Sequence, residues 1–304
     1  MTYLLASTLP AAPAGKRLRA LLDRPGILAM PGAYNGLSGL QAKAAGFEAL
    51  YLSGAAMSAQ MGLPDLGILT IDEVCFYIRQ IARVTGLPML VDGDTGFGEA
   101  LNVMQMVRAF EEAGAGAVQI EDQLLPKKCG HLSDKKLAPA ADMAAKVAAA
   151  RRARRDLVIV ARTDALEAEG LEGAIARARL YVEAGADAIF PEALSDAADF
   201  ARFAEQVKVP LLANMTEFGR TPFMTADEFA GLGYKMVIWP VSALRVAAKA
   251  HEALYATIRA TGSTRAMLAS MQTRAELYAT IGYADYEALD ASIVRSLVPD
   301  GRGE

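Results

Sequence analysis

The chain alternates short apolar runs with longer segments in which apolar residues recur every three or four positions. The short runs, such as LVIVART from Leu157, have the length and β-branched content of buried strands, whereas the longer segments have the period of amphipathic helices. Eight strands are predicted, and they begin at Ile27, Ala49, Pro88, Ala117, Leu157, Ala188, Pro210 and Met236. Strands and helices that alternate in this way indicate an α/β protein with parallel strands.

Glycine marks the predicted ends of several helices. Helical patterns that start at Ile71, Leu101 and Leu171 end at Gly86, Gly114 and Gly185. Because glycine adopts the left-handed conformation without a Cβ clash, it is a common helix stop.

Eight strand–helix units predict a (β/α)₈ TIM barrel, since no Pro- or Ser-rich linker divides the chain. An open doubly wound sheet is the alternative, but no G-x-G-x-x-G follows the first strand, and polar residues end nearly all the strands. We therefore expect one barrel domain over residues 1–262, with a loose N-terminal tail over 1–15. Further helical patterns beyond it predict a C-terminal helical extension, residues 263–304, that makes oligomer contacts.

Composition and charge narrow the range of partners. The 304 residues are 53% hydrophobic, which is enough for a large core, and the net charge of -4 argues against nucleic acid. No apolar run approaches the ~18 residues of a membrane span, so we expect no membrane partner. The two cysteines, Cys75 and Cys129, cannot build a disulfide framework, and we expect a cytoplasmic protein. Cys75 and His251 lie in helical patterns and are interpreted as structural.

Polar residues end most of the predicted strands, as the mouth of a barrel requires. Four acids at strand ends or in the loops nearby suggest a metal site: Asp65, Asp92, Asp94 and Glu121. Carboxylates without histidine suit a hard cation, so the prediction is Mg²⁺, with Mn²⁺ possible. A zinc site on Cys129 and His131 would lack further Cys or His ligands nearby.

The KKCGH segment, residues 127–131, gathers unusual chemistry in a loop longer than most of its type. Lys127, Lys128 and His131 would surround Cys129 with positive charge, which favours the thiolate and lowers its pKa towards the range of an acid–base catalyst. Gly130 would let the loop approach a ligand closely. We therefore expect a mobile lid that carries a reactive cysteine.

Two arginines near strand ends, Arg162 and Arg245, complete the predicted mouth. Arginine holds carboxylates through paired hydrogen bonds, and a divalent cation chelates 2-oxo or 2-hydroxy acids. The combination predicts a small di- or tricarboxylate, or a phosphonate, as substrate, and an anionic intermediate such as an enolate.

Together the motifs YLSG, LPDLGI, VDGDTGFG, IED followed by KKCGH, ARTDAL, FPEA, ANMTEFG and MQTRAELY resemble the isocitrate lyase/phosphoenolpyruvate mutase superfamily, and within it the 2-methylisocitrate lyase family. The resemblance implies a (β/α)₈ barrel whose last helix is swapped between the subunits of a homotetramer. It also implies Mg²⁺-dependent retro-aldol cleavage of 2-methylisocitrate to pyruvate and succinate, in the methylcitrate route of propionate catabolism.

The resemblance also assigns roles. Asp92 would bind the metal most directly, and Asp65, Asp94 and Glu121 would help largely through water. Cys129 would protonate the succinate carbanion, with Lys127 and His131 tuning it, while Arg162 would steady the enolate oxygen. The substrate-binding residues would be Ser53, Gly54 and Ala55 at the pyruvate end, and Gly130, Glu192, Asn214, Thr216, Arg245 and Arg274 elsewhere. Tyr51 is the candidate base, and a metal-bound hydroxide is its rival.

The substrate itself is less sharply defined by the sequence. Phe190 and Ile238 stand where, by resemblance, isocitrate lyases have a Trp that crowds out the extra methyl group and a Thr, which favours a methylated substrate. 2,3-Dimethylmalate lyase is a near alternative. Oxaloacetate decarboxylases of the superfamily lack the KKCGH lid, and a non-enzymatic barrel that binds small acids is a remote alternative.

Overall fold

The structure is a computed structural model that describes residues 2–293. Its eight β-strands are β1 Leu28–Pro31, β2 Leu50–Leu52, β3 Met89–Asp92, β4 Ala117–Glu121, β5 Val158–Thr163, β6 Ala188–Pro191, β7 Leu212–Asn214 and β8 Met236–Trp239. All eight coincide with predicted strands. The hydrophobic pattern located them because each is a fully or mostly buried run.

Within the described residues there are twelve α-helices. They are α1 Ala14–Leu22, α2 Gly36–Ala44, α3 Gly54–Gln60, α4 Ile71–Thr85, α5 Ala100–Ala113, α6 Ala140–Ala153, α7 Leu166–Ala184, α8 Ala197–Gln206, α9 Ala226–Gly231, α10 Ser242–Thr261, α11 Arg274–Ile281 and α12 Tyr283–Ser292. The glycines Gly86, Gly114 and Gly185 end α4, α5 and α7 in the left-handed conformation, as predicted. Gly170, with φ of 70°, kinks α7 just before Leu171, where the helical pattern begins.

The strands form a closed ring of parallel neighbours. Five pair in the order β2-β3-β4-β5-β6 and three in the order β1-β8-β7. Single bridges between Gly32 and Tyr51 and between Ile189 and Leu211 join the two runs. With helices outside, this is the predicted (β/α)₈ barrel.

Alternation along each strand separates two layers of core. On β5, Val158 and Val160 point into the barrel, while Ile159 and Ala161 pack outward against the helices. The α1 residue Leu18 closes the bottom of the inner core. Because side chains alternate in a strand, the next inward position on β5 is Arg162, at the upper end of the barrel.

The chain ends look different from the barrel. The predicted loose tail, residues 1–15, contains a short 3₁₀ turn, Ala6–Thr8, and the start of α1. In the predicted extension, α11 contacts α2, and no residue of α10, α11 or α12 is buried. Residues 294–304 of the extension lie outside the described residues.

Candidate active site

The upper end of the barrel opens into a cavity of about 370 Å³. The predicted site residues at the strand ends have the same inward parity as the core below them, for example Ser53 above Tyr51, and Glu192 above Phe190. The predicted residues that line it are Tyr51, Ser53, Ala55, Asp65, Asp92, Lys127, Cys129, Gly130, His131, Arg162, Glu192, Asn214, Thr216 and Arg245. The loop over residues 122–139, between β4 and α6, covers one side and is called the lid below.

Four predicted acids, Asp65, Asp92, Asp94 and Glu121, gather at one side of this cavity and are called the carboxylate cluster. Asp92 is held by backbone N–H groups, since Gly54 N and Asp94 N each donate to it at 3.1 Å. A Cβ on Gly54 would lie 3.0 Å from Asp92 Oδ2, so the backbone approaches the carboxylate closely. Gly54 thus serves the cluster through its backbone.

Glu121 is the least satisfied acid of the cluster. It is buried, and neither carboxylate oxygen accepts a hydrogen bond, although Arg162 Nη1 lies 3.3 Å from Oε2. Burial raises the pKa of Glu121 well above its ordinary value, against the opposing effect of Arg162 and Lys127. Burial likewise raises the pKa of Asp94 to about 6, even though Lys127 lowers it. Such uncompensated carboxylates fit a site that takes a cation.

Within the described residues, no three Asp, Glu, His or Cys side chains converge closely enough to ligate one ion directly. The arrangement excludes a site in which all four acids touch the metal. It fits a cation that keeps several waters and reaches most of the acids through them, as Mg²⁺ does. The orphaned oxygens of Glu121 supply acceptors for such waters.

Lys127 links the lid to the carboxylate cluster. Its Nζ lies 2.6 Å from Asp65 Oδ1 and 2.5 Å from Asp94 Oδ1, and only 3% of its side chain is exposed. Burial lowers the pKa of Lys127, but Glu121, Asp92 and the two paired acids outweigh burial and hold it well above its ordinary value. The prediction that Lys127 tunes Cys129 is therefore corrected, because the ammonium group of Lys127 pairs with Asp65 and Asp94.

Cys129 lies at the rim of the cavity with its side chain exposed on one face. The predicted lowering of its pKa is wrong. Removal of water by the surrounding lid and barrel raises the pKa of the Cys129 thiol, and the backbone N–H of His131 and the charge of Arg162 offset this only in part. The sequence could not reveal this, because the neighbouring cations pair with carboxylates instead of the sulfur.

His131 reaches across the cavity to the barrel wall. Its Nδ1 accepts a hydrogen bond from the backbone N of Arg220 at 3.0 Å, so Nε2 carries the proton and donates to Glu192 Oε1 at 3.2 Å. Burial alone would raise the pKa of Glu192, but Arg162 and His131 together hold it at about 2. His131 is thus a link between the lid and Glu192 and not a side-chain partner of Cys129.

Arg162 is the central cation of the cavity. Asp164 accepts from its Nε and Nη2 at 2.9 and 3.0 Å, and Glu192 Oε2 lies 3.3 Å from Nη1. The guanidinium also stacks over the ring of Phe190 at 5.2 Å. Asp164 is not among the predicted site residues, and its paired bonds hold the Arg162 guanidinium in place.

Three further predicted residues have distinct positions. Tyr51 donates its hydroxyl to Gln119 Oε1 at 3.0 Å, and burial followed by Asp92 raises its pKa well above 10, so it is unsuited to act as the base. Arg245 donates to Thr216 at 3.3 Å and to Glu217 at 2.7 Å. Arg274, at the start of α11, is not among the residues that line the cavity of this chain.

Apolar residues form the remaining wall of the cavity. They are Phe190, Ile238, Pro240, Val241, Leu244 and Ala248. The sequence singled out Phe190 and Ile238 but missed the β8–α10 residues. Their inward parity on β8 and their spacing on the first turns of α10 are the signals that could have found them.

Comparison with known proteins gives the family. The profile of the phosphoenolpyruvate phosphomutase family matches residues 18–259. The chain belongs to this family. It is 54% identical over 284 residues to the 2-methylisocitrate lyase of Bacillus subtilis (strain 168), covering 93% of this chain and 94% of that protein.

Solved structures of the family share the fold. A crystal structure of 2,3-dimethylmalate lyase superposes with a TM-score of 0.88 at 32% identity, covering 97% of this chain and 100% of that one. Phosphonopyruvate hydrolase in complex with oxalate and Mg²⁺ superposes with a TM-score of 0.84 at 32% identity, covering 93% of this chain and all of that one. The predicted membership of the isocitrate lyase/phosphoenolpyruvate mutase superfamily is confirmed.

Proposed function

We propose that the protein is a carbon–carbon lyase that cleaves 2-methylisocitrate into pyruvate and succinate. The observation that carries this proposal is the 54% identity to a 2-methylisocitrate lyase along nearly the whole of both chains. A cavity of about 370 Å³ suits a small tricarboxylate, and its two arginines supply the charge that carboxylates require.

The polar wall of the cavity binds the succinate half in this proposal. Arg245 and Thr216 already lie within 3.3 Å of each other and can share one carboxylate. Asn214 Nδ2 lies 3.3 Å from Glu192, which keeps its amide turned to the cavity. Ser53 and Ala55 receive the pyruvate half, and the apolar wall at Phe190 and Ile238 accepts the methyl group.

In the cleavage a base removes the hydroxyl proton, the C–O bond becomes the carbonyl of pyruvate, and the bond to the neighbouring carbon breaks. The electron pair of that bond stays on the carbon that becomes part of succinate. Arg162 stabilises the negative charge that spreads onto the adjacent carboxylate of the substrate. The paired hydrogen bonds from Arg162 to Asp164 hold the guanidinium in position. Cys129 then gives its proton to that carbon. Its raised pKa suits this step, because the thiol stays protonated near neutral pH and can act as an acid.

The proposal includes Mg²⁺, with Mn²⁺ as substitute, held by Asp92 directly and by Asp65, Asp94 and Glu121 through water. A bound divalent cation would polarise the hydroxyl and carboxylate of the pyruvate half. The buried, unbonded oxygens of Glu121 support this assignment, as does the Mg²⁺ in the complex of phosphonopyruvate hydrolase.

A coupled assay for pyruvate tests the activity. Purified protein with Mg²⁺ is offered 2-methylisocitrate, isocitrate, 2,3-dimethylmalate and oxaloacetate separately, and we expect the highest kcat/KM with 2-methylisocitrate. A preference for 2,3-dimethylmalate would favour the second candidate function, which the TM-score of 0.88 to that lyase supports. Pyruvate from oxaloacetate alone would refute the lyase proposal, and turnover of none of them would favour a non-enzymatic binding barrel.

We further propose a cytoplasmic homotetramer that swaps its C-terminal helix and acts in propionate catabolism. No helix among the described residues is long and apolar enough to cross a membrane. In a single chain α10 buries no residue and leaves Val246 72% and Tyr255 67% exposed, which supports a partner on this helix. Truncation before Met271 is expected to break the tetramer in light scattering, and an intact tetramer would contradict the swap.

A further inference from the structure

A buried polar group lies behind the active site, outside the cavity. Asp122, the first residue after β4, is fully buried and accepts four side-chain or backbone donors. Thr163 Oγ1, Asp164 N and the Tyr181 hydroxyl each donate to its carboxylate at 2.8 Å, and Arg177 Nη1 lies at 3.3 Å. None of these contacts reaches a substrate.

The same group holds both ends of the lid. Asp122 begins the lid, and its backbone oxygen accepts a hydrogen bond from Ala138 N at 2.9 Å. Arg177 Nη1 donates to the oxygen of Ala138 at 2.9 Å as well as to the Asp122 carboxylate. The two points where the lid leaves and rejoins the barrel are therefore fixed to one guanidinium.

The group also reaches the central arginine of the cavity. Asp122 fixes the backbone of Asp164, and the carboxylate of Asp164 makes the paired bonds to Arg162. From the lid, Lys135 Nζ lies 3.6 Å from Asp164 Oδ1 and bonds to the backbone oxygen of Gly130. The lid that carries Cys129 and the barrel residue Arg162 are thus both connected by hydrogen bonds to Asp122.

We propose that Asp122, Arg177 and Tyr181 are positioning residues that set the lid, and with it Cys129, relative to Arg162. We call these three residues the lid anchor. Their side chains span the outer end of β4, the base of the lid and the middle of α7, so a shift in any of them moves the lid ends and Asp164 together. The kinetic consequence rests on the proposed lyase function, whereas the consequence for lid position does not.

Tyr181→Phe tests the lid anchor with a small change, since it removes only the hydroxyl that donates to Asp122. Tyr234→Phe is a matched control, because Tyr234 is also buried but its hydroxyl has no hydrogen-bond partner. Arg177→Lys keeps the positive charge but removes the guanidinium that donates to Asp122 and to the oxygen of Ala138. Its control is Arg179→Lys, the same change at an exposed arginine of α7 that bonds to Gln206 and not to the lid anchor.

The first measurement is alkylation of Cys129 by iodoacetamide across pH without any ligand, located by peptide mass spectrometry; Cys75 is buried and maps separately. Cys129 is already exposed on one face, and a loosened anchor should remove the lid and barrel contacts that still desolvate its thiol. We therefore expect alkylation at neutral pH about threefold faster or more, and a midpoint at lower pH. Tyr234→Phe and Arg179→Lys should match the wild type.

The second measurement is steady-state kinetics with 2-methylisocitrate. Tyr181→Phe and Arg177→Lys should lower kcat by about 10-fold and change KM less, because a misplaced lid harms proton transfer more than binding. Unchanged alkylation and kcat in Tyr181→Phe would overturn the proposal, as would equal changes in the controls. If the wild type does not cleave 2-methylisocitrate, the proposed activity fails, and alkylation alone still decides the lid anchor.

Discussion

The carboxylate cluster and the lid face the same cavity but are built in opposite ways. Asp92 and Glu121 end barrel strands, are almost fully buried, and are held by the backbone of the ring. The lid has no regular strand; one bridge between Gln123 and Leu137 ties its limbs, and apolar residues such as Leu132 are exposed. The cluster is therefore fixed and electrostatically strained, whereas the lid is adaptable.

The carboxylate cluster and the lid also differ in the charge that they bring to the cavity. The cluster has four acids against the single charge of Lys127, and burial raises the pKa of Glu121 and Asp94. The lid supplies one lysine that pairs with the cluster, Lys127, and one neutral acid, Cys129. Changes in the cluster should therefore act on cation binding and stability, and changes in the lid on turnover.

Cys129→Ser should give the largest effect on the lid side. Serine keeps the size but is a far weaker acid, so kcat should fall by at least ~10²-fold. Calorimetric binding of Mg²⁺ and succinate should persist. Cys75→Ala is the control, since Cys75 lies buried in α4, away from the cavity. Near-normal turnover of Cys129→Ser would remove Cys129 from the mechanism.

Gly130→Ala tests how closely the lid must approach the barrel. An added Cβ would lie 2.3 Å from Glu192 Cγ and 2.4 Å from Arg162 Nη2, so the lid cannot keep its position. We expect kcat/KM to fall by about 10- to 100-fold while the Tm changes little. Gly231→Ala, where an added Cβ meets nothing within 4 Å, should behave as the wild type. Equal kinetics in the two variants would show that lid closure tolerates the methyl group.

The sequence predicted the barrel and the carboxylate cluster well for a physical reason. Strand periodicity places Asp92, Glu121 and Arg162 at inward positions above the core, so position along the chain translates directly into position in space. In the lid no period operates. The sequence brought Lys127 near Cys129 along the chain, but the fold pairs its Nζ with Asp65 and Asp94.

Burial explains the other failed predictions. The low pKa expected of Cys129 depended on charges near in sequence, whereas desolvation is the largest effect on the pKa of both Cys129 and Tyr51. Desolvation is set by contacts between distant segments, such as Tyr51 with Gln119. The bonds of Asp164 to Arg162 were not predicted, although residues two apart along an extended chain point to the same side.

Glu121→Gln should separate cation binding from folding on the cluster side. Glutamine keeps the size of a side chain whose burial already disfavours the charged form, so the Tm of the metal-free protein should change little. Mg²⁺ affinity should weaken by about 10-fold or more, and the rise in Tm that Mg²⁺ produces should shrink. Glu48→Gln, on the surface, is the control. If Mg²⁺ raises the Tm of Glu121→Gln as much as that of wild type, Glu121 does not support the ion.

The smallest expected effect is the pH dependence that Asp94 gives to stability. Burial raises its pKa to about 6 in the folded protein, above the ordinary value of about 3.9. Between these values the folded state binds more protons than the unfolded state, so the contribution of Asp94 to stability is lost as pH rises from about 4 through 6. The loss should be on the order of 1–3 kcal/mol in metal-free protein.

Asp94→Asn isolates this effect, because asparagine tolerates the positive φ of 47° at this position and does not titrate. Urea unfolding at pH 5 and pH 7 should show a smaller loss of stability with rising pH in the variant than in the wild type. Saturating Mg²⁺ should reduce the difference, since a nearby cation favours the carboxylate form. Parallel pH profiles for the two proteins without metal would mean that Lys127 already compensates Asp94, and that the lid neutralises the cluster on its own.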